Sequence, residues 1–176
     1  MRRPTRKIYV RNSDLVIGGN SPLSVQGMTN RPLTDVEGNV SQINEMARRG
    51  ASLVRVAVRT IEEADCIPLV LKRSSIPLCA DIHFDYRIAL KAIENGINKI
   101  RLNPGNITDP KKVEEVVRLA AKESVPIRIG VNSGSIDKKK YSAVTPEALV
   151  DSALQHLKIL EDLNFDQALV SIKSSD

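Results

Sequence analysis

Short apolar runs rich in β-branched residues alternate along the chain with amphipathic stretches of about a dozen residues. The runs are typical of strands buried on both faces, as in a parallel sheet covered by helices. Strands are predicted over 23–26, 53–58, 77–82, 99–102, 126–131 and 168–172. Helices are predicted over 36–49, 61–72, 86–95, 110–123 and 146–163. The alternation therefore predicts an α/β fold.

Two α/β architectures fit this pattern, a doubly wound open sheet and a (β/α) barrel. Nucleotide-binding doubly wound sheets usually carry G-x-G-x-x-G after their first strand, whereas residues 26–29 read Gln-Gly-Met-Thr. Apolar stretches at 7–10 and 15–17 predict a β-hairpin that could plug the bottom of a barrel. We therefore predict an N-terminal hairpin over 1–20 and a TIM-type barrel over 21–176. Eight strand–helix units need about 200 residues or more, so we expect an incomplete barrel with six of its eight strands.

The composition limits the kind of partner. A net charge of +5 suits an anion, without choosing among nucleic acid, a membrane surface and a phosphorylated metabolite. Aromatic residues make up only 3% of the chain and there is no long basic stripe, which argues against nucleic-acid binding. No apolar run approaches the roughly 20 residues that cross a bilayer, and no apolar segment follows the basic N-terminus. We therefore expect a cytoplasmic protein with no membrane or nucleic-acid partner.

The cysteines and histidines do not form a metal-binding pattern. Cys66 and Cys79 fit neither C-x-x-C nor zinc-knuckle spacing. With only two histidines beside them, they are too few and too scattered for a zinc or iron–sulfur site made by this chain alone. We therefore expect no metal site here. His156 stands in the middle of a predicted helix among polar neighbours and is predicted to lie at the surface.

Charged side chains interrupt the predicted strands at positions whose neighbours are apolar. Successive side chains point to opposite faces of a strand, and the outer face of a barrel lies under helices. Apolar neighbours such as Val54 and Val56, on either side of Arg55, fit the outer face. The alternation then directs a set of polar side chains into the barrel, namely Arg55, Asp81, His83, Arg101, Arg128 and Lys173.

The inward cations outnumber their strand-borne partner, because four of them face only Asp81. Burying an unpaired ion is costly, so the imbalance predicts a bound anion with more than one negative charge. Arginine suits phosphate groups, and Asn103 and Asn132 share the inward face and can donate hydrogen bonds. The alternative is a set of internal salt bridges, with Arg55 or Arg101 paired to Asp81 and the other cations solvated at the rim.

Asp81 and His83 lie two residues apart and therefore on one face of their strand. An imidazole next to a carboxylate can exchange a proton near neutral pH. The pair is our candidate for handling a proton or orienting a substrate.

Five segments, in order along the chain, carry a resemblance to a known family. They read S-V-Q-G-M-T-N at 24–30, V-R-V-A-V at 54–58, A-D-I-H-F-D-Y-R at 80–87, K-I-R-L-N-P-G-N at 99–106 and I-R-I-G-V-N-S-G-S at 127–135. Together they resemble the N-terminal barrel of the 4-hydroxy-3-methylbut-2-enyl diphosphate synthase family, over nearly the whole chain. Many relatives read Q-S-M-T where this chain has Q-G-M-T at 26–29.

The resemblance implies an iron–sulfur oxidoreductase that acts on CH or CH2 groups. That family converts 2-C-methyl-D-erythritol 2,4-cyclodiphosphate to 4-hydroxy-3-methylbut-2-enyl diphosphate in the methylerythritol phosphate route to isoprenoids. The reaction is a two-electron ring opening with loss of water, and the electrons come from ferredoxin or flavodoxin through a 4Fe–4S cluster. The implied roles are diphosphate binding by Arg55, Arg101, Arg128 and Lys173, further substrate contacts by Asn103 and Asn132, and catalysis by Asp81 and His83.

The family holds its cluster with three Cys and a Glu in a C-terminal domain, and no residues of this chain correspond to those ligands. It also works as a homodimer, in which the cluster domain of one subunit closes over the barrel of the other. The resemblance therefore implies that this chain supplies the substrate-binding barrel and is inactive in redox terms by itself. Two other interpretations stay open: a dihydropteroate synthase-like barrel that binds pterin and phosphate, and a non-catalytic anion-binding fragment.

Overall fold

The structure, a computed structural model, describes residues 4–82, 85–103, 107, 109–137 and 140–174. An antiparallel pair, β1 (Lys7–Tyr9) and β2 (Val16–Gly18), comes first. A parallel sheet of six strands follows and is paired in chain order. Its strands are β3 (Gln26–Met28), β4 (Leu53–Val58), β5 (Leu78–Ile82), β6 (Lys99–Leu102), β7 (Ile127–Asn132) and β8 (Ala168–Lys173).

Helices cover one face of this sheet. In the described part of the chain they are α1 (Val36–Arg48), α2 (Ile61–Asp65), α3 (Ile67–Leu71), α4 (Tyr86–Glu94), α5 (Pro110–Lys122) and α6 (Pro146–Asp162). Their apolar residues, such as Ile43 and Ile93, join one buried core with outward strand residues such as Val54 and Ile100. The predicted incomplete barrel, with six parallel strands under helices and a short β-hairpin before them, is confirmed.

Side chains at the starts of the helices explain where these begin. Asp109 accepts a hydrogen bond from the amide of Lys111 at 3.0 Å, and Thr145 accepts one from Ala148 at 3.2 Å. Each satisfies an amide that has no partner within its own helix. Pro110 and Pro146 follow directly, at the position where a missing amide hydrogen costs nothing.

Two predicted boundaries are wrong. The helix predicted over 61–72 is divided into α2 and α3 at Cys66, because Pro68 lacks an amide hydrogen and its ring crowds the preceding turn. The first parallel strand lies at 26–28 and not at 23–26. Leu23 is 81% exposed, so its apolar side chain does not mark a buried strand.

The hairpin packs beneath the inward face of the sheet. Val10 is buried with Leu53 and Cys79, which face away from the helices. Asn98 fastens the two parts, because its amide nitrogen donates to the Arg11 carbonyl at 2.9 Å and its oxygen accepts from the Leu78 amide at 2.8 Å. The hairpin therefore closes the sheet at the amino-terminal ends of the strands and leaves the carboxyl ends for a site.

No helix within the described ranges is long and apolar enough to cross a membrane. The same residues contain no group of three or more His, Cys, Asp and Glu side chains placed to hold a metal ion.

Candidate functional site

The inward face of the sheet carries two adjacent rows of side chains, which the strand register fixes. The first row, nearer the hairpin, runs across four strands through Met28, Arg55, Cys79 and Lys99. The second row runs across five strands through Ala57, Asp81, Arg101, Arg128 and Leu169. Because residues in register point to the same face, the two rows bring four of the predicted site residues onto one surface: Arg55, Asp81, Arg101 and Arg128.

The Asp81 carboxylate lies between two arginines. Its Oδ1 accepts a hydrogen bond from Arg101 Nη1 at 2.8 Å, and its Oδ2 lies 3.4 Å from Arg55 Nε. Asp81 is only 3% exposed, so these ion pairs are poorly screened by solvent. The alternative of internal salt bridges is thus correct for Arg55 and Arg101, which share a single carboxylate.

Arg101 is held from a second side by the backbone of β7. Its Nη2 donates to the Gly130 carbonyl at 2.8 Å, and the residue is 9% exposed. A Cβ atom at position 130 would lie 2.4 Å from Arg101 Nε, so only glycine leaves room for the guanidinium there. Gly130 is a site residue that the sequence reasoning missed, and a glycine inside an apolar strand was the available signal.

Met28 contacts Arg55 at the edge of the sheet. The methionine Sδ lies 3.2 Å from Arg55 Nε and 3.0 Å from Nη2. Arg55 is thereby held between a thioether and the Asp81 carboxylate. Sequence reasoning missed Met28, because the first parallel strand was predicted three residues too early.

Arg128 has no such partner among the described residues. It follows Arg101 in the second row, and it makes no hydrogen bond or ion pair with any residue that the structure describes. Its Nε is buried and unsatisfied. Burial lowers the pKa of Arg128, and the positive charges of Arg55 and Arg101 add to this effect. A guanidinium with an unsatisfied Nε and no counter-ion among the described residues is suited to bind an anion that enters the site.

Lys99 is a second buried cation on the same face. It is 2% exposed, and the structure gives it no hydrogen bond or ion pair among the described residues. Burial lowers the pKa of its ammonium group, the positive charges of Arg128 and Arg55 lower it further, and the Cys79 thiol opposes them. Sequence reasoning missed Lys99, although its spacing of two from Arg101 places both on one face.

Three predicted residues lie at the carboxyl ends of the strands. Asn103 directly follows β6 and is buried. Asn132 ends β7 and is the register partner of Lys173, which ends β8. Asn132 and Lys173 are both exposed, and each lies four residues beyond its strand's member of the second row, Arg128 or Leu169. They therefore lie at the open carboxyl end of the barrel, which we call the mouth.

The two histidines have different outcomes. His83 lies outside the described residues, so its pairing with Asp81 stays a prediction. The surface prediction for His156 is wrong, because the ring is half-buried and its Nε2 donates to the Ile107 carbonyl at 3.2 Å. Burial lowers the pKa of His156. The ring thus joins α6 to the segment between β6 and α5.

Comparisons with known proteins find relatives that cover the whole of this chain. The family model of the GcpE TIM-barrel domain matches residues 5–176. The chain is 51% identical over 178 residues to the 4-hydroxy-3-methylbut-2-en-1-yl diphosphate synthase (flavodoxin) of Mannheimia succiniciproducens, covering 99% of the chain and 48% of that protein. It is 50% identical to the protein of the same name from Wigglesworthia glossinidia brevipalpis, covering 100% and 48%. The chain therefore spans about half the length of the curated relatives that it matches.

Solved structures show a similar fold at low identity. The dihydropteroate synthase of Xanthomonas albilineans matches with a TM-score of 0.66 and 15% identity, covering 94% of this chain and 64% of that one. The dihydropteroate synthase of Yersinia pestis matches with a TM-score of 0.68 and 15% identity, covering 93% and 61%. At this identity the likeness concerns the fold alone.

Proposed function

This chain belongs to the GcpE TIM-barrel domain family, and from that membership we propose that it forms the diphosphate-binding part of a 4-hydroxy-3-methylbut-2-en-1-yl diphosphate synthase. The substrate of the proposed reaction is 2-C-methyl-D-erythritol 2,4-cyclodiphosphate. Two electrons and two protons enter, a ring C–O bond breaks, and one water leaves. We propose that the chain is divided into a hairpin over 1–20 and a barrel part over 21–176.

The imbalance of charge on the inward face carries this proposal. Arg55, Arg101, Arg128 and Lys99 face one carboxylate, Asp81, among the described residues of the two rows. Of these cations, Lys99 is buried and Arg128 is half-buried, and neither has a carboxylate partner in the described part of the chain. A diphosphate carries the multiple negative charges that would balance such a surface.

Asp81 has a positioning task in this proposal. By pairing with Arg55 and Arg101 at once, the carboxylate fixes two guanidinium planes before any ligand arrives. Donors held in place in this way cost little reorganisation when charge develops on a ligand. Negative charge grows on the diphosphate oxygen that is released from carbon as the ring opens, and fixed arginines would stabilise it.

The residues at the mouth are proposed to complete the pocket. Asn103 and Asn132 would donate amide hydrogen bonds to phosphate or hydroxyl oxygens, and Lys173 would add a charge at the rim. His83, together with Asp81, is proposed to orient the substrate and handle a proton. Family membership supports these roles, and for Asn103, Asn132 and Lys173 so do their positions at the carboxyl ends of the strands.

A 4Fe–4S cluster does not fit the cysteines of this chain. Cys66 packs with the core under the helices, whereas Cys79 packs on the inward face with Leu53 and Val10. The two thiols therefore lie on opposite sides of the sheet, and the described residues offer no further cluster of ligands. We propose that the cluster ligands belong to a different part of the full-length protein.

The partners are proposals as well. The curated relatives carry flavodoxin in their names, so we propose flavodoxin as the electron donor, with ferredoxin as the other candidate. We also propose that the full-length protein is a homodimer, since a barrel without cluster ligands needs a second domain to be placed over its mouth.

Calorimetric titration with the cyclic diphosphate tests the proposal. Arg128→Ala should weaken binding about tenfold to a hundredfold, since a hydrogen bond to a charged group contributes about 1.5–3 kcal/mol. Arg118→Ala is the matched control, because Arg118 is an exposed arginine paired with Glu114 on α5, outside the inward face. The proposal fails if the folded, unmodified chain binds the cyclic diphosphate no more tightly than the Arg128→Ala variant.

The same titration with a pterin tests the dihydropteroate synthase-like interpretation. The fold likeness to those enzymes supports it, and no side-chain observation does. We therefore expect no pterin binding.

A further inference from the structure

Lys99 occupies an unusual position for a lysine. It opens β6 in the first inward row, beside Cys79, while its neighbour Ile100 packs under the helices. Below this row lie the apolar residues of the hairpin that pack on Leu53 and Cys79. Lys99 thus lies between the apolar residues of the hairpin and the arginines of the two rows, Arg55, Arg101 and Arg128.

Among the described residues, no carboxylate is paired with Lys99. From β4 it meets the charge of Arg55, from β7 that of Arg128, and from β5 the thiol of Cys79. The Arg11 guanidinium of the hairpin donates to the Ile93 carbonyl and pairs with Glu123. Asp81, one inward position further along β5, is taken up by Arg55 and Arg101. An ammonium group at position 99 is therefore desolvated and repelled within the described surroundings.

We propose that Lys99 is a proton-coupled part of the anion site: its amine is uncharged in a share of the empty molecules and becomes an ammonium ion when a diphosphate binds. The inference rests on the proposed function and adds a residue to it. The proton comes from the solvent, and no bond of the ligand breaks. The bound anion supplies the negative charge that this group lacks in the empty site.

The sign of the linkage follows from this scheme. Burial without a counter-ion keeps the pKa of Lys99 below its ordinary value, and a bound anion raises it again. Between these two values anion binding takes up as much as one proton per site, and affinity falls as pH rises through the window. At about pH 9 imidazoles are already neutral, and burial raises the pKa of the Cys79 thiol, so neither group imitates the effect.

The test is calorimetric titration of the full chain with inorganic pyrophosphate at about pH 9, in buffers of different ionisation enthalpy. The dependence of the measured heat on the buffer gives the number of protons taken up. Lys99→Met removes the amine and keeps most of the volume, and Lys122→Met, at an exposed position of α5, is the control. The protonation of pyrophosphate itself cancels in the difference between variants. Proton uptake should be lost in Lys99→Met and kept in Lys122→Met.

A second measurement observes the titration of Lys99 directly and needs no comparison between variants. In the unmodified chain labelled with 13C at the lysine Cε, the Lys99 signal should titrate at lower pH than the other lysines and shift to higher pH when pyrophosphate is added. If pyrophosphate binds but the uptake is equal in Lys99→Met, or the Lys99 signal titrates with the other lysines, this inference is overturned and the proposed function stands. If pyrophosphate and the cyclic diphosphate both fail to bind the folded chain, the proposed function falls, and this inference falls with it.

Discussion

Gly130 lies so close to Arg101 that the strand and the guanidinium fix each other. The Gly130 carbonyl accepts a hydrogen bond from Arg101 Nη2 at 2.8 Å, and the place of its absent Cβ is filled by Arg101 Nε and its neighbouring atoms. The other end of the guanidinium donates to Asp81 at 2.8 Å. Arg101 is therefore clamped between β5 and β7.

Gly130→Ala should release this clamp. The added methyl group would displace the guanidinium from the Asp81 carboxylate, lowering the free energy of unfolding by about 1–3 kcal/mol and weakening pyrophosphate binding about tenfold or more. Urea unfolding and calorimetry measure the two effects. Gly134→Ala is the control for stability, because no atom lies within 4 Å of a Cβ placed there. An unchanged affinity in Gly130→Ala would show that Arg101 does not need this position.

Asp81→Asn should destabilise the protein through both arginines. The carboxylate is buried and pairs with Arg55 and Arg101, so its loss leaves two guanidinium groups without a counter-charge. Breaking a buried pair costs about 3–5 kcal/mol, and we expect a loss near 3 kcal/mol because Arg55 is partly exposed. Urea unfolding measures it. Asp162→Asn, which removes the exposed partner of Lys158, should change stability by less than about 1 kcal/mol. Equal losses in the two variants would contradict this account.

Asn98→Ala should detach the hairpin from the sheet. It removes the partners of the Leu78 amide and the Arg11 carbonyl, and each buried group left unpaired costs about 1–3 kcal/mol. We expect urea unfolding to show a loss of about 2 kcal/mol or more, together with faster amide exchange in the hairpin. Asn20→Ala, at an exposed position, is the control and should show neither change.

Much of the fold could be predicted because helix and strand periods differ. The alternation of apolar runs and amphipathic stretches located every parallel strand except β3. That strand pairs at the sheet edge through Gln26 to Met28, where exposure removes the apolar signal. The break between α2 and α3 depends on Pro68. A proline inside a predicted helix indicates such a break, and the prediction of one continuous helix overlooked it.

The site was less predictable, because it depends on register between strands. Alternation alone places Arg55, Asp81, Arg101 and Arg128 on the inward face. It does not say that Asp81 stands beside Arg101, which is a property of strand pairing. Lys99 obeys the same alternation, but it opens its strand, and alternation does not show whether a lysine at a strand end is buried or solvated.

His156 should make the protein more sensitive to acid. Burial lowers the pKa of His156 in the folded state below the value of about 6.5 that it takes when unfolded. The unfolded chain therefore binds the proton first as pH falls, so this contribution to stability is present above about pH 6.5 and is lost as pH falls towards the folded pKa. His156→Gln keeps an amide that can donate to the Ile107 carbonyl but does not titrate. Urea unfolding across this range should show a smaller loss of stability in His156→Gln than in the unmodified chain. His83 is present in both proteins, so its contribution cancels in the comparison. Parallel pH profiles of the free energy of unfolding would show that His156 is not the cause.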